Sequence, residues 1–477
     1  MNGEEPRVRI LHGGVNRIEG PLMFVRNVHG VGLYEKVEVM TGGEPRIGRV
    51  VSIDRDNVVV EVFQGTDGLS LSGSRVRFLG EPVKLRVGPG MLGRVFDGVG
   101  RPIDGGPGVV SDKEVRVDGE AINPVRRAVP REFIETGFSA IDAMNSLVRG
   151  QKLPIFSGSG LSHDRLASMI AHFARLRGDD ADQFAVVFAA IGVTFDTADR
   201  FRRDMDEFGA TERIALFLNL ANDPSTERLL TPRIALTCAE HLAFEEDMHV
   251  LVILTDLTNY CEALREVSSS HGEIPSRRGY PGYMYSDLAS LYERAGRIEG
   301  RTGSITQLPI LTMPNDDITH PIADLSGYIT EGQVVLDRDL ERRRVFPPVK
   351  LLPSLSRLMN DGIGEGLTHA DHPALASQMY SAYAQSTRLR LLSSVVGEEG
   401  LSAADRALLR FGENMEARFI GQGGVRRSLE QTMELGWELL SEIPDELLVR
   451  LSDAQMAQHI APRRSSSEPA AEERADA

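Results

Sequence analysis

The ten residues from Leu153 to Ser162 have the form of a phosphate-binding loop without its cation. A working loop reads Gly-x-x-x-x-Gly-Lys-Ser/Thr, and its lysine reaches the β- and γ-phosphates of a bound nucleotide. Here Gly160 and Ser162 occupy the last glycine and hydroxyl positions, whereas Leu161 stands at the lysine position and Ile155 at the first glycine position. Leucine cannot neutralise a phosphate, so we expect a loop that is able to bind a nucleotide but does not catalyse.

The residues around the loop leave two interpretations open. An apolar segment precedes the loop and an amphipathic helical pattern follows it, and Gly158 and Gly160 allow close approach of a ligand to the backbone. Ser162 could cap that helix or touch a metal, and an ordinary Gly/Ser turn is the alternative. The apolar run Val250–Thr255 before Asp256 is typical either of a carboxylate that faces magnesium through water or of a core strand before a helix-capping aspartate.

A catalytic carboxylate is missing from the strand that follows the loop and its helix. In catalytic proteins of this architecture that strand ends in Gly-Glu-Arg, and the glutamate polarises the attacking water. Here Gly192 is in place, but Val193 occupies the position of the acid. Leu161 and Val193 are independent losses, and both predict that the chain does not hydrolyse a nucleotide by itself.

The segment Pro353–Met359 presents an arginine, Arg357, after the last predicted core strand. A guanidinium is always charged and grips phosphate oxygens in a fork, so Arg357 is a candidate to reach the γ-phosphate in a neighbouring subunit. A structural salt bridge is the alternative interpretation.

Composition excludes several other classes of protein. The chain has 477 residues, a net charge of −16 and an apolar fraction of 41%, which favour a multidomain globular protein and disfavour an extended nucleic-acid surface. We find no apolar run long enough to span a bilayer and expect no signal peptide. Cys238 and Cys261 predict buried thiols in a reducing compartment rather than a disulfide framework. The 11 histidines show no metal-ligand spacing, so no metal site is predicted.

The pattern along the chain predicts a multidomain fold in three parts and a tail. Residues 1–80 contain short β-type runs separated by turns, which indicate a small closed β-barrel. Residues 81–365 alternate apolar strands with helical segments, the pattern of an α/β domain with a parallel sheet. A helix is expected over Tyr285–Arg297, and the expected strands are Phe184–Val193, Arg213–Asn219, Val250–Asp256 and Ser304–Leu311. Residues 366–462 predict amphipathic helices, one of them opened by a capping box of Ser402 and Asp405. Residues 463–477 carry no large apolar side chain, so we expect a disordered tail.

Taken together, these residues resemble the B subunits of V-type (archaeal and bacterial A/V-type) rotary ATPases and ATP synthases. The resemblance spans nearly the whole chain and departs from the family mainly at Ser162-His163, where a proline commonly follows the leucine. The runs that carry it are Thr136–Asp142, Arg149–Gly160, Asn259–Glu266, Arg277–Tyr285, Thr319–Leu325 and Pro353–Met359.

The resemblance implies an N-terminal β-barrel, a central RecA-like P-loop NTPase domain and a C-terminal α-helical domain. It also implies a hexameric ring in which this non-catalytic chain alternates with catalytic A subunits around a central stalk, with peripheral stalks attached and ATP or ADP with Mg²⁺ at the A–B interface. Arg357 matches the arginine offered in trans to the A-subunit site. The residues expected in a degenerate nucleotide pocket are Ser157, Gly158, Ser159, Gly160, Ser162 and Asp256.

The implied location is the cytoplasmic face of a membrane, without insertion, in a complex that couples ATP turnover to H⁺ or Na⁺ transport. Three alternatives stay open. A self-sufficient export-type ATPase would need a lysine at position 161 and an acid at position 193. A hexameric RNA translocase would need a working loop and a basic channel. A structural or regulatory nucleotide sensor would have no role for Arg357 in trans.

Overall fold

The computed structural model describes residues 11–55, 57–111, 113–177, 183–207, 211–397 and 400–467. The chain divides into two compact units whose segments interleave along the sequence. The first unit comprises Met1–Arg127, Ala185–Leu311 and Thr319–Ser326, and the second comprises Ala128–Phe184, Thr312–Ile318 and Gly327–Ala477.

The described residues form 22 strands. They are β1 (Leu11–His12), β2 (Val15–Glu19), β3 (Leu22–Arg26), β4 (Glu35–Met40), β5 (Arg46–Asp54), β6 (Asn57–Val62), β7 (Arg75–Pro82), β8 (Lys84–Arg86), β9 (Val95–Asp97), β10 (Glu114–Arg116), β11 (Arg127–Ala128), β12 (Phe133–Glu135), β13 (Leu147–Val148), β14 (Ile155–Gly158), β15 (Arg175–Leu176), β16 (Phe184–Val193), β17 (Ile214–Leu220), β18 (His249–Thr255), β19 (Gly296–Ile298), β20 (Ser304–Met313), β21 (Gly332–Leu336) and β22 (Val349–Ser356).

The same residues form 14 α-helices. They are α1 (Ser139–Asp142), α2 (His163–Phe173), α3 (Phe195–Glu207), α4 (Ser225–Phe244), α5 (Leu257–Ser270), α6 (Met284–Tyr292), α7 (Pro321–Ile329), α8 (Arg338–Arg342), α9 (Met359–Gly362), α10 (His372–Val396), α11 (Ala403–Asn414), α12 (Leu429–Ser441), α13 (Asp453–Gln455) and α14 (Ala461–Ser467).

The first seven strands form an antiparallel barrel in the first unit. Their order is β1-β7-β4-β5-β6-β3-β2, and the strands at its two ends are joined only by Gly13 and Gly14, so the sheet closes on itself. Alternate residues of β4 are buried, as a strand with one face on a core requires. The barrel core is almost entirely valine, a β-branched residue that packs well on a pleated surface. Its fully buried members are Met23, Val25, Val37, Val39, Val50, Val58, Val60, Val62 and Val76.

The rest of the first unit contains a parallel sheet in the order β20-β18-β16-β17-β9. Every residue of β18 is buried, and in β16 only Gly192 is not. Long α4 packs on β17 and β18, and α3 packs on β17. These strands confirm the four apolar runs that the sequence predicts, because a strand buried on both faces needs apolar side chains in both directions.

The second unit combines a small sheet with the helical end of the chain. β21 pairs with β14 in parallel and with β22 in antiparallel fashion. After β22 the described residues contain helices only, as predicted. α10, α11 and α12 pack against one another, and the predicted capping box of Ser402 and Asp405 opens α11. Arg343, directly after α8, and Arg390 of α10 both bond to the buried Glu416, which joins α8 to the helical part.

Two local predictions differ from the structure. The helix expected from Tyr285 to Arg297 ends at Tyr292, and Gly296, with φ at 146°, starts a strand that pairs with β20. The tail expected to be disordered from residue 463 begins as helix α14. Arg463 and Arg464 hold this helix by pairing with Glu434 and Asp445. Residues 468–477 of the predicted tail lie outside the described residues, and the boundaries expected at 80 and 365 stay predictions.

Replacing Gly14 by Ala should open the barrel at its closure. A Cβ atom at Gly14 would lie 2.5 Å from the carbonyl oxygen of Arg26, whose own amide donates to Gly14 O at 2.9 Å. Overpacking of this kind costs about 1–3 kcal/mol in the free energy of unfolding. Gly43→Ala is a matched control, because a Cβ at Gly43 meets nothing within 4 Å. Equal thermal midpoints of the two variants would contradict this account of the closure.

Candidate functional site

The phosphate-type loop of the second unit has the expected strand–turn–helix form, but its lysine position faces inward. β14 is fully buried and leads into the exposed residues Ser159 and Gly160, after which α2 begins. Gly160 adopts φ of 77°, a left-handed conformation that glycine adopts without steric cost. Leu161 is only 7% exposed, so its side chain packs into the core.

The hydroxyl groups of Ser157 and Ser162 form hydrogen bonds within the chain itself. Ser157 Oγ lies 3.0 Å from His163 Nδ1 and 3.1 Å from the carbonyl oxygen of Gly158. Ser162, which corresponds to the magnesium-binding hydroxyl of a working loop, donates to Glu341 Oε2 at 2.7 Å. Ser162 sits at the N-cap of α2, yet its side chain makes no capping bond within the described residues.

An ion pair stands against the backbone of the loop. Arg338 Nε and one terminal nitrogen donate to the two carboxylate oxygens of Asp316, both at 2.8 Å, and the same terminal nitrogen donates to the carbonyl oxygen of Ser159 at 2.9 Å. A Cβ at Gly158 would lie 2.1 Å from Asp316 Oδ1, so only glycine permits this approach. The sequence did not point to Asp316, Arg338 or Glu341, because they are far from the loop along the chain and belong to no motif.

Asp256, the sixth residue of the expected pocket, belongs to the first unit and is a helix cap. It follows β18, is buried, and accepts a hydrogen bond from the Thr258 amide at 2.8 Å at the start of α5. The capping interpretation is therefore realised. The five loop residues and Arg357 all lie in the second unit.

The end of β16 carries an amide and guanidinium network instead of a catalytic acid. Val193 is 7% exposed, and its carbonyl oxygen accepts from Ala221 N at 2.7 Å. Asn219 Oδ1 accepts from the Gly192 amide at 3.1 Å and from Arg228 Nε at 3.0 Å. No carboxylate stands at position 193, so this strand offers no base to an attacking water.

A buried carboxyl group lies close to this network. Burial, together with the carboxylates of Asp223 and Asp97, raises the pKa of Glu227 to about 7. Burial also raises the pKa of Asp97. Like charges that are withdrawn from water favour the neutral form, so this cluster binds protons more readily than an exposed one. Among the described residues, no group of three or more His, Cys, Asp or Glu side chains could hold a metal ion.

Arg357 lies directly after β22, the outer strand of the three-strand set β14-β21-β22 in the second unit. Ser354 and Ser356 point inward: Ser354 Oγ accepts from the Val335 amide at 2.9 Å, and Ser356 Oγ donates to Ser146 O at 2.8 Å. The intervening side chain of Leu355 and that of Arg357 are exposed.

The backbone of Arg357 is fixed by a hydrogen bond, and its exposed guanidinium contacts a carbonyl oxygen. The amide of Arg357 donates to Glu331 O at 2.9 Å, and one terminal nitrogen lies 3.5 Å from Thr330 O. Within the described part of the chain no carboxylate forms an ion pair with Arg357, so the salt-bridge alternative has no support from these residues.

Three family models match consecutive parts of the sequence. They are the beta-barrel domain of the ATP synthase alpha/beta family at residues 15–80, the nucleotide-binding domain of that family at 137–356, and the C-terminal domain of V and A type ATP synthase at 361–460. The chain is 56% identical over 448 residues to a V-type ATP synthase beta chain of Halothermothrix orenii, covering 94% of this chain and 96% of the relative. The chain belongs to the B-subunit, or beta-chain, family of V- and A-type ATP synthases.

A solved structure supports the same family. It is described as a unique ATP synthase subunit, NeqB, from Nanoarcheaum equitans, and it matches with a TM-score of 0.71 and 38% identity over 88% of this chain and 99% of that chain. The predicted fold class is confirmed: an N-terminal β-barrel, a central α/β nucleotide-binding domain and a C-terminal helical domain. The match to the V and A type C-terminal domain also favours this family over an export-type ATPase.

Family membership makes the chain one subunit of a multi-subunit ATP synthase that serves ATP synthesis and ion transport. Its central domain is of the type that binds ATP or ADP. None of the helices in the described residues has the length and apolar character that a membrane crossing requires.

Replacing Glu227 by Gln should reduce the pH dependence of stability. An unfolded glutamate has a pKa of 4.5, whereas that of Glu227 in the folded state is about 7. Between these values the folded state binds more protons, so the free energy of unfolding falls as the pH rises through this window. We expect the wild-type thermal midpoint to fall between pH 5 and pH 8 by roughly 4 °C more than that of Glu227→Gln.

Glu207→Gln, at an exposed glutamate of α3, is the control and should keep the wild-type pH dependence. Groups that titrate elsewhere affect all three proteins equally, so only the difference between them reports on Glu227. Identical pH profiles for wild type and Glu227→Gln would show that Glu227 is ionised in the folded state throughout this range.

Proposed function

We propose that this chain is the non-catalytic B subunit of a rotary ring, in which it alternates with catalytic A subunits and supplies Arg357 in trans to their active sites. The observation that carries the proposal is that Arg357 is exposed while the chain's own pocket lacks the lysine and the carboxylate that catalysis needs. Leu161 is buried where a lysine would meet phosphate, and Val193 is buried where an acid would orient water.

Arg357 is suited to act across an interface because its backbone is fixed, whereas its exposed guanidinium is held only by a long contact of 3.5 Å to Thr330 O among the described residues. Ser354 and Ser356 anchor β22 from the inner face, and the backbone of Arg357 is bonded to Glu331. A pre-positioned guanidinium loses little freedom when it meets a phosphoryl group whose charge grows in the transition state. The exposed Leu355, one step before on the same side, offers an apolar contact to the neighbour beside this charge.

The cofactor that fits this arrangement is ATP or ADP with Mg²⁺, bound at the A–B interface rather than tightly by this chain alone. Ser157, Gly158, Ser159, Gly160 and Ser162 form the chain's own degenerate pocket, and the expected contribution of Asp256 stays a prediction. The loop lacks its lysine, and the hydroxyl groups of Ser157 and Ser162 already have partners, so we expect weak binding there.

The partners that follow are the catalytic A subunits, a central stalk and peripheral stalks. We place the ring at the cytoplasmic face of a membrane, in contact with a separate membrane sector that carries H⁺ or Na⁺. The chain itself neither inserts into the membrane nor binds nucleic acid in this proposal, in keeping with its net charge of −16.

Arg357→Ala should abolish ATP turnover of the assembled ring. An arginine supplied from a neighbouring subunit typically accelerates phosphoryl transfer by about 10³–10⁵-fold, so we expect a loss of that order in kcat. Arg357→Lys should recover little of this loss, because an ammonium cannot form the bidentate fork. The measurement is ATP hydrolysis by rings purified with the catalytic partner, after gel filtration has shown that assembly is intact.

Arg342→Ala is the control for a general loss of surface charge. Arg342 lies in the same unit, is highly exposed and pairs with Asp339 three residues before it, and its replacement should leave kcat unchanged. Intact rings of Arg357→Ala that hydrolyse ATP at the wild-type rate would refute the role of Arg357 in trans.

The isolated chain should show no ATP turnover, whereas a ring reconstituted with the catalytic partner should be active. This expectation follows from Leu161 and Val193, which leave the chain without a phosphate cation and without a base. Steady-state hydrolysis by equal amounts of chain, alone and in the ring, distinguishes the cases. Robust turnover by the isolated chain would instead indicate a self-sufficient ATPase.

A further inference from the structure

The Asp316–Arg338 pair against the loop points to a device that controls what the degenerate pocket accepts. We propose that the Asp316 carboxylate occupies the place of a phosphate group at the loop and thereby selects against polyphosphates. An incoming phosphate must displace Asp316 from Arg338 before it can pair with this arginine. This inference rests on the proposed nucleotide pocket and deepens it, since it names the residues that set its affinity.

The approach of Asp316 to the loop resembles that of a ligand. Glycines in phosphate loops let an anion come close to the backbone. Here the anion is a side chain of the same chain, because Asp316 Oδ1 lies within 2.1 Å of the position that a Cβ atom at Gly158 would occupy. Gly158 is thus required by Asp316, whether or not a nucleotide ever binds.

The backbone at Asp316 is strained in a way that delivers this carboxylate. Asn315 and Asp316 have φ values of 58° and 56°, two consecutive left-handed residues that are not glycine. Such residues cost free energy and persist where the surrounding contacts hold them, which is common at functional sites. The contacts of Asp316 that hold the turn are the paired bonds to Arg338.

Arg338 is placed to pair either with the Asp316 carboxylate or with a phosphate at the loop. Its terminal nitrogen bonds both to Asp316 and to Ser159 O, so the guanidinium already touches the loop. The side chains of Asp316 and Arg338 are 44% and 42% exposed, so solvent and solutes reach the pair. An ion pair this exposed is weak, and a ligand with more negative charge than a carboxylate could displace Asp316 from it.

The rest of the local charge opposes phosphate. Ser162 Oγ is bonded to the carboxylate of Glu341, and Asp164 follows in the first turn of α2. A second basic side chain at the loop is His163, which bonds to Ser157 and lies 3.4 Å from Asp164. Three carboxylates, those of Asp316, Glu341 and Asp164, thus lie at or beside the loop, and removal of Asp316 should shift the local charge toward anion binding.

The test is ADP binding to the full-length chain by titration calorimetry without catalytic partner. We expect Asp316→Asn, which keeps the side-chain shape, to tighten ADP binding by roughly tenfold relative to wild type. Asp339→Asn is the matched control: it removes the same charge from exposed Asp339 of α8, which pairs with Arg342, and should change affinity less than about twofold. The double variant Asp316→Asn/Arg338→Gln should lose the gain, because the cation is gone.

Inorganic pyrophosphate identifies the part of ADP that is recognised. It should compete with ADP in Asp316→Asn, whereas a gain for ADP without competition by pyrophosphate would overturn the proposal. Equal affinities of Asp316→Asn and Asp339→Asn would also overturn it, as would tight binding retained by the double variant. Thermal midpoints near wild type confirm folding, and Asp316→Ala provides a second variant if Asp316→Asn unfolds. These outcomes are independent of ring turnover, which tests Arg357.

Discussion

The loop has a leucine at the phosphate-cation position and completes several of its polar contacts from within the chain. Leu161 packs into the core, and the loop beside it bonds to an arginine and a glutamate of the same chain where a working loop would bond to a nucleotide. The partners come from α8. Arg338 reaches Ser159, and Glu341 reaches Ser162. The loop keeps the shape of a phosphate-binding loop, but its polar groups now make structural contacts within the chain.

The same short helix connects the loop to the helical part of the second unit. Arg338 and Glu341 lie within α8, and Arg343 immediately after it bonds to Glu416. Glu416 is buried, also accepts from Arg390 and Tyr383, and has its pKa held below the usual range by these partners despite its burial. A buried carboxylate that joins several donors is costly to disturb, so the C-terminal end of α8 is held firmly.

Much of the fold could be predicted from the sequence, because its strongest signals are local. Apolar runs typical of strands buried on both faces predicted β16, β17, β18 and β20, and Ser402 with Asp405 predicted the start of α11. The site was predictable only where a motif carries it, at the loop and at Arg357. Asp316, Arg338 and Glu341 could not be found, since an ion pair between distant residues leaves no period in a sequence. The end of α6 was missed because the chain turns into a strand at Gly296. Helix α14 was missed because it is held by the ion pairs of two arginines with distant residues.

The interleaving of the two units has a consequence for the order in which the chain folds during synthesis. The barrel strands occupy residues 11–82 and leave the ribosome together, so the barrel can close before any other sheet is complete. The chain then delivers residues 128–184 to the second unit, returns to the first for 185–311, and reaches most of the second only after residue 327. For much of the synthesis the phosphate-type loop is therefore present without α8. Until Arg338 and Glu341 have emerged, its exposed polar groups form hydrogen bonds to water or are covered by a chaperone.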